Sequence, residues 1–509
     1  MGPITEFVAR NGEWYPKKIA VVCEGRKLTW KELNSRANRV AGGLKSAGIS
    51  KGDRVAIVSQ NCLEYPEIMF GALKAGGVIV PVSTMLQKET AGRELQDAGA
   101  KAVFAAHPFL SLVSEYKESS LRIVLEGREP GWDAYENFLS AGCPEDPGVI
   151  PSPEDPYNIV YSSGTTGIPK GIVHTHEARV FFALTCGLEF RVHNQAVSLI
   201  STPIYTNGTQ LIFLPTVLVG GTLVLMRSFE PLAFLELVQR QRCTHAFLVP
   251  TQSIRIMEHP RFLDYDASSI EVLLSAAAPL SKETKGEMLR KFAKSKLVEL
   301  YGITEGISTV LRPDEQFSRP GSVGKPRLGG DIKIIDNDGN ELPAGEAGEI
   351  VGTNYSMMAG YYRDPEKTRE SQWHDRRGRL YLKTGDVGRL DEDGYLYILD
   401  RKKDLIISGG INIYPRDIEE ILLTHPEVAE AAVIGIPHRE WGERPVAIAV
   451  KKNNKSVISE EELKNWVNSR LAAYQRLAAV EFHPFLPRND LGKVMKHVLR
   501  AGAGPAKPK

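Results

Sequence analysis

Through residue 399 the chain alternates short apolar runs with segments of helical period, and their order sets the expected fold. "RVAIVSQ" reads as a strand, "EYPEIMFGALKAG" as a helix and "VIVPV" as a second strand. Strand, helix and strand in succession predict parallel sheets covered by helices. "AVSLISTP", "GTLVLM", "THAFLVP" and "IEVLLSA" continue the pattern. From Gly321 onward the runs shorten and glycine turns join them, with Asp338-Gly339 and Asp393-Gly394 as hairpin signals, so this region ends in a β-rich subdomain.

"DRKKD", residues 400–404, then reads either as a domain boundary or as a solvated charge run. Beyond it lies an α+β unit: a helix from about Pro415 to Leu423, strands "AEAAVIGIP" and "PVAIAVKK", and a second helix. That helix opens with Ser459 and Glu462 in capping-box spacing and places Leu463, Trp466, Val467 and Leu471 on one face. The expected class is α/β. A large domain of helix-covered parallel sheets with its β-rich subdomain spans 1–399, a linker spans 400–404, and a small α+β domain spans 405–509. "AGAGPAKPK" is expected to be an unstructured tail.

Composition narrows the function classes. At 509 residues the chain exceeds what one hydrophobic core supports, and 42% hydrophobic with 25% charged residues describes an ordinary globular protein. A net charge of +1 gives no support to nucleic-acid binding. The five cysteines are dispersed without CxxC spacing, which argues against a zinc site or disulfide framework and fits a reducing cytosol. The N-terminus lacks a signal pattern, and "LIFLPTVLVGGTLVLM" is interrupted by Pro215 and Gly220-Gly221, so no membrane span is expected. Oligomeric state, a homodimer included, is not fixed by these features.

Chemistry concentrates in "YSSGTTGIPKGIVHTH", Tyr161 to His176. Gly164, Gly167 and Gly171 let the backbone curl, Ser162, Ser163, Thr165 and Thr166 supply hydroxyls, and Lys170 adds a positive charge. These residues suit a loop that wraps a polyphosphate, with a polar surface loop as the alternative. The order does not match a GxxxxGK[ST] loop. In "ELYGITEG", Tyr301 offers a ring for a purine, and Thr304 and Glu305 offer hard oxygens for Mg²⁺ and phosphate. The alternative is a strand-end turn with a surface acid. Asp386 in "KTGDVG" is either a ribose ligand or a turn cap.

Taken with "LTWKEL", "KAGGVIVPV", "YLKTGDVGRLDEDGYLYILDRKKDLI", "SGGINIYPRDIEEIL" and "LPRNDLGKVMKHVLR", these blocks stand in the order found in the adenylate-forming superfamily of acyl-CoA synthetases, luciferases and peptide-synthetase adenylation domains, which the chain resembles over nearly its whole length. The resemblance implies ATP, Mg²⁺ and CoA as ligands and a mobile small domain. It makes Tyr301 the adenine stacker, Glu305 the magnesium ligand with Thr165, and Thr166 a catalytic hydroxyl. It places Gly302, Thr304, Ala277 and Ala278 at the nucleotide, Asp386 on the ribose, and Arg401 on ribose or phosphate. Gly409 and Gly410 fall on the CoA side, Lys403 at the hinge, and Tyr205, Thr206, Ala276 and Gly302 around the acyl group.

Lys493, in "DLGKVMKH", matches the catalytic lysine of the family. The chemistry asks for a cation there, because a carboxylate attacking the α-phosphate of ATP brings two anions together. Charges ~4 Å apart at an effective dielectric of ~20 repel by roughly 4 kcal/mol. No carrier domain follows in this chain, so CoA is the expected acceptor; a carrier-protein thiol or luciferase-like oxidation are the alternatives. The acid is expected to be apolar, fatty, alicyclic or aryl, because "RVFFALTCGLEF" and "GTQLIFL" flank the acyl block. Thr206 replaces the His or aromatic gate of many relatives. Ala276 and Ala277 stand where many have glycine, so their methyls either narrow the pocket or simply pack. His174, His176 and Cys186 are expected to be structural, since ATP supplies the activation.

Overall fold

The computed structural model describes residues 2–162, 170–409, 411–452, 457–488 and 493–502. The chain divides into two compact units, 1–331 with 353–382, and 332–352 with 383–509. Segments 332–352 and 383–399, grouped with the large domain on sequence, fall with the C-terminal residues in this division. Compactness does not locate a pivot.

In the first unit, strand Arg54–Val58, helix Glu64–Lys74 and strand Val78–Pro81 follow one another as expected, and the strands pair in parallel with Val55 opposite Ile79. Every residue of that helix is buried, which an apolar run with few breaks demands. Two sheets carry the unit. One has eight strands, with Pro156–Ser162, Val78–Pro81, Arg54–Val58 and Ala100–Ala105 at its centre. The other has nine, with Lys296–Gly302, Val272–Ala276, His245–Leu248, Val197–Ile200 and Thr222–Leu225 in adjacent positions. Central pairs are parallel and buried on both faces; antiparallel pairs flank both edges of the nine-stranded sheet and one edge of the eight-stranded sheet.

The apolar stretch around Pro215 forms helix Gln210–Leu218, nine residues long and buried throughout. Pro215 sits inside that helix rather than ending it. Among the described residues, no helix is long and apolar enough to cross a membrane.

In the second unit, strands Leu380–Leu390 and Leu396–Arg401 form the expected hairpin around Asp393-Gly394, with Asp391 Oδ1 accepting from the amides of Asp393 (3.0 Å) and Tyr395 (2.9 Å). Helix Pro415–Leu423 lies where periodicity placed it, and helix Glu460–Asn468 carries the Ser459/Glu462 capping box. Ile406, Ile418, Leu422, Val433, Leu463 and Val467 share one core. The run 400–404 is not solvated as a whole. Asp400 and Asp404 are buried; Asp400 accepts from the amides of Arg401 (2.7 Å) and Arg416 (3.1 Å), and Asp404 pairs with Arg500 at 2.8 Å. Of the tail, Ala501 and Gly502 close helix Lys496–Gly502, and 503–509 lie outside the described residues.

Strand Val272–Ala276 leads into Ala277, which takes φ +75°, a left-handed conformation unusual for a residue with a Cβ. Ala277 is exposed, so its methyl gains little packing in return. Ala277→Gly removes the conformational penalty and adds back some unfolded-chain entropy; we expect a net stabilisation of about 0.5–1 kcal/mol, read as a higher denaturant midpoint at unchanged m.

Candidate active site

The hydroxyl- and glycine-rich loop joins two antiparallel strands. Ser162 ends Pro156–Ser162 and Lys170 begins Lys170–Thr175, directly opposite it. Ser163, Gly164, Thr165, Thr166 and Gly167 lie outside the described residues. The helix that follows, His176–Glu189, starts only after the second strand, with Thr175 Oγ1 capping the amide of Ala178 at 3.2 Å. This is strand, loop, strand, unlike the strand, loop, helix of a Walker A site.

Strand Lys296–Gly302 delivers Tyr301 and Gly302 to its exposed end, and the turn after it carries Thr304 and Glu305. Three contacts hold that turn. His174 Nε2 donates to the Thr304 carbonyl at 2.8 Å, the Tyr361 hydroxyl donates to Glu305 Oε1 at 2.9 Å, and the Met358 amide donates to the Glu305 carbonyl at 2.9 Å. Gly306 has φ +104°, and a Cβ there would lie 2.3 Å from the Ser356 carbonyl oxygen. Only glycine allows so close an approach. Lys170 Nζ lies 5.7 Å from the centroid of the Tyr361 ring, so one tyrosine contacts both the loop lysine and the candidate metal carboxylate. Burial and Glu305 together push the Tyr361 phenol up, which keeps it a donor.

A buried polar cluster backs the turn. Because His174 Nε2 bonds a carbonyl it must carry the proton, leaving Nδ1 to accept from Arg179 at 3.0 Å. Burial, then the Arg179 charge, hold the imidazole pKa well below its ordinary value, so His174 is neutral. Arg179 Nε also donates to Asn158 Oδ1 at 3.3 Å. Burial lowers His176 to about 4 and raises the Cys186 thiol to about 11, and Cys186 Sγ accepts from Arg327 at 2.6 Å. None of the three is a nucleophile or base in this setting, and all serve packing or positioning.

Tyr205 and Thr206 sit in a turn that Asn61 clamps: its Oδ1 accepts from the Ile204 amide (2.8 Å), and its Nδ2 donates to the carbonyls of Thr202 and Met226 (both 2.9 Å). Thr206 Oγ1 donates to the Pro203 carbonyl at 2.9 Å. Beneath the turn lies a small cavity lined in part by Tyr205 and Thr206, and also by Tyr65, Met69, Tyr157 and Arg179. Ala276 is buried, and neither Ala276 nor Ala277 lines this cavity, so their methyls do not narrow it. Ala278 and Ala277 are both exposed beyond the strand end.

The second unit gathers the other candidates. Asp386 is buried and faces Arg401 across the hairpin, with Arg401 Nε 3.4 Å from Asp386 Oδ1. That ion pair is too oblique to count as a hydrogen bond at Nε. Lys493 is half-buried. Burial lowers its pKa to about 8, with repulsion from Arg401 and Lys403 adding and Asp386 and Asp404 opposing. Burial also lowers the pKa of Lys403, which is exposed at its side-chain surface. Gly409 has φ +58° and bonds the Trp441 carbonyl through its amide at 2.8 Å, while Gly410 lies outside the described residues.

Among the described residues, no three His, Cys, Asp or Glu side chains cluster to hold a metal by themselves. A single carboxylate such as Glu305 still fits Mg²⁺, which is usually held by one or two carboxylates together with substrate phosphates and water. Sequence reading missed Tyr361, Asn61, Asn158 and Arg179. Tyr361 had a weak signal in the paired aromatics of "GYYRD", and Arg179 in being a lone cation at the head of an apolar run.

Comparison with known proteins places the chain. Residues 8–362 match the family model described as AMP-binding enzyme, and residues 417–493 match the AMP-binding enzyme C-terminal domain. A feruloyl-CoA synthase from Amycolatopsis sp is 34% identical over 97% of this chain and 98% of that protein. The long-chain-fatty-acid–CoA ligase FadD13 of Mycobacterium tuberculosis is 32% identical over 95% of this chain and 94% of its own length. The crystal structure of ATP-bound MatB from Rhodopseudomonas palustris superposes with a TM-score of 0.88 at 30% identity, covering 99% of both chains. The chain belongs to the AMP-binding enzymes, as an AMP-forming acid–thiol ligase of the adenylate-forming superfamily that works with ATP, Mg²⁺ and CoA.

Proposed function

We propose that this enzyme joins a carboxylic acid with an apolar body to CoA through an acyl-adenylate, with Glu305, Asp386, Arg401 and Lys493 as its principal charged groups. The observation that carries the assignment is the locked turn: Glu305 is held by Tyr361 and its neighbour Thr304 by His174, so a carboxylate is fixed beside the exposed end of a strand bearing Tyr301. A carboxylate on a loose loop would lose that preorganisation to side-chain entropy.

Glu305, with Thr165, would hold Mg²⁺, which when bound offsets charge on the phosphates that leave. Tyr301 presents its ring to the adenine. Asp386 accepts from ribose hydroxyls, and Arg401 beside it serves a ribose or phosphate oxygen. Lys493 donates to the substrate carboxylate and the α-phosphate together, which lowers the repulsion between them as the carboxylate oxygen attacks phosphorus and pyrophosphate departs. CoA sulfur then attacks the acyl carbonyl, releasing AMP. Gly409 and Gly410 belong to this second step, and we place the pivot between the two steps at Lys403.

The acid's apolar body is supported by Met69, Ile79, Pro81, Val160 and Ile204 in the cavity wall, and by the feruloyl and fatty-acyl substrates in the names of the relatives. A reducing cytoplasm suits the four buried thiols Cys23, Cys62, Cys186 and Cys243, which are free.

Lys493→Ala is expected to lower acid-dependent ATP–pyrophosphate exchange by roughly 10²- to 10³-fold, the scale of losing one oxyanion donor. With a pKa of about 8 the ammonium form is present below that pH and lost above it, so wild-type kcat/KM for adenylation should fall as pH rises through about 8. That alkaline limb should vanish in Lys493→Ala; an unchanged limb would assign it to another group. Lys403→Pro should retain pyrophosphate exchange and suppress thioester formation with CoA. Equal loss of both half-reactions would remove the pivot from Lys403.

A further inference from the structure

Arg179 is the first residue of the run "RVFFALTCGLEF" that reads as apolar, yet it carries a charge into the interior. It is 2% exposed and lines the cavity beneath the 203–210 turn. Among the described residues no carboxylate pairs with it. Its Nε meets Asn158 Oδ1 and one terminal nitrogen meets His174 Nδ1, both neutral acceptors. A buried cation ordinarily has an anionic partner, because burial without one forfeits hydration and returns only hydrogen bonds.

Two more donors enter the same cavity unmatched. The hydroxyls of Tyr65 and Tyr157, both lining residues, are buried without a hydrogen-bond partner. The guanidinium has no anionic partner and the two phenols around the same space have no acceptor, so an anionic group would satisfy all three. Asn207 Oδ1 and Gln210 Oε1, on the turn, are buried acceptors without donors; they suit a hydroxyl or a water and do not compete for the anion. Met69, Ile79, Pro81, Val160 and Ile204 make the apolar part of the wall, which suits the hydrocarbon body of an acid.

We infer that Arg179 is a specificity-determining residue that selects acids carrying a second carboxylate at the end remote from the one activated, on an aryl or short alkyl body. The inference rests on the adenylation reading above and deepens it. Asn158 and His174 act as positioning residues, holding the guanidinium plane through two of its nitrogens. Tyr65 and Tyr157 complete the donor set.

The test uses the full-length enzyme and matched acid pairs, benzene-1,4-dicarboxylate against 4-methylbenzoate and adipate against hexanoate, with pyrophosphate release as the readout. In at least one pair the wild type should favour the dicarboxylate at least 10-fold in kcat/KM. Arg179→Met should bring that ratio to about 1 or below, mostly through KM, and Arg179→Lys should restore part of it. Tyr65→Phe and Tyr157→Phe, which keep the cavity's shape, should each lower the ratio several-fold, and they decide the matter if Arg179→Met does not fold. Turnover of monoacids with no preference in either pair, or a preference that the folded variants leave unchanged, overturns the inference alone. No pyrophosphate release with any acid defeats the adenylation reading and this inference with it.

Discussion

One hydrogen bond organises the candidate site of the first unit: the neutral imidazole of His174 donates to the carbonyl of Thr304. That bond dictates the tautomer, and the tautomer dictates that Nδ1 can only accept, which is what recruits Arg179. A protonated His174 would place two cations in contact inside the core, so burial and the neighbouring guanidinium both keep it neutral. The turn carrying Glu305 is thereby tied to the helix carrying Arg179. Thr304, the neighbour of Glu305, and the Arg179 guanidinium, far apart in sequence, meet on the same ring.

The second unit solves a different electrostatic problem. Lys493 lies among Asp386, Asp404, Arg401 and Lys403, and the balance leaves its pKa near neutrality instead of high in the basic range. An ammonium poised this way is still mostly charged at neutral pH, while burial has already stripped it of part of its hydration. Arg401 is held beside Asp386 in the same cluster, with its Nε 3.4 Å from Asp386 Oδ1.

Local pattern carried the elements that depend on local physics. The strand, helix and strand at Arg54–Pro81, the hairpin at Asp393-Gly394 and the capping box at Ser459 were all legible, because period, turn chemistry and caps act within a few residues. The candidate residues were legible through ordered motifs. Their braces were not. Tyr361 reaches Glu305 across 56 positions and His174 reaches Thr304 across 130, and no periodicity marks such pairs. Arg179 was hidden for another reason: a lone cation at the head of an apolar run looks like a surface residue until its burial is seen. In the run 400–404 the burial of Asp400 and Asp404, which meet the Arg416 amide and the Arg500 side chain, was equally invisible in a string of charges.

The central claim is that the braced carboxylate of Glu305 meets the metal that accompanies ATP. Calorimetric titration of a non-hydrolysable ATP analogue into wild type and Glu305→Gln, each with and without Mg²⁺, tests it most directly. The account requires that Mg²⁺ tighten binding to the wild type by about 10-fold or more, that this gain largely disappear in Glu305→Gln, and that metal-free affinity be similar in the two. An equal Mg²⁺ dependence in both proteins would contradict it.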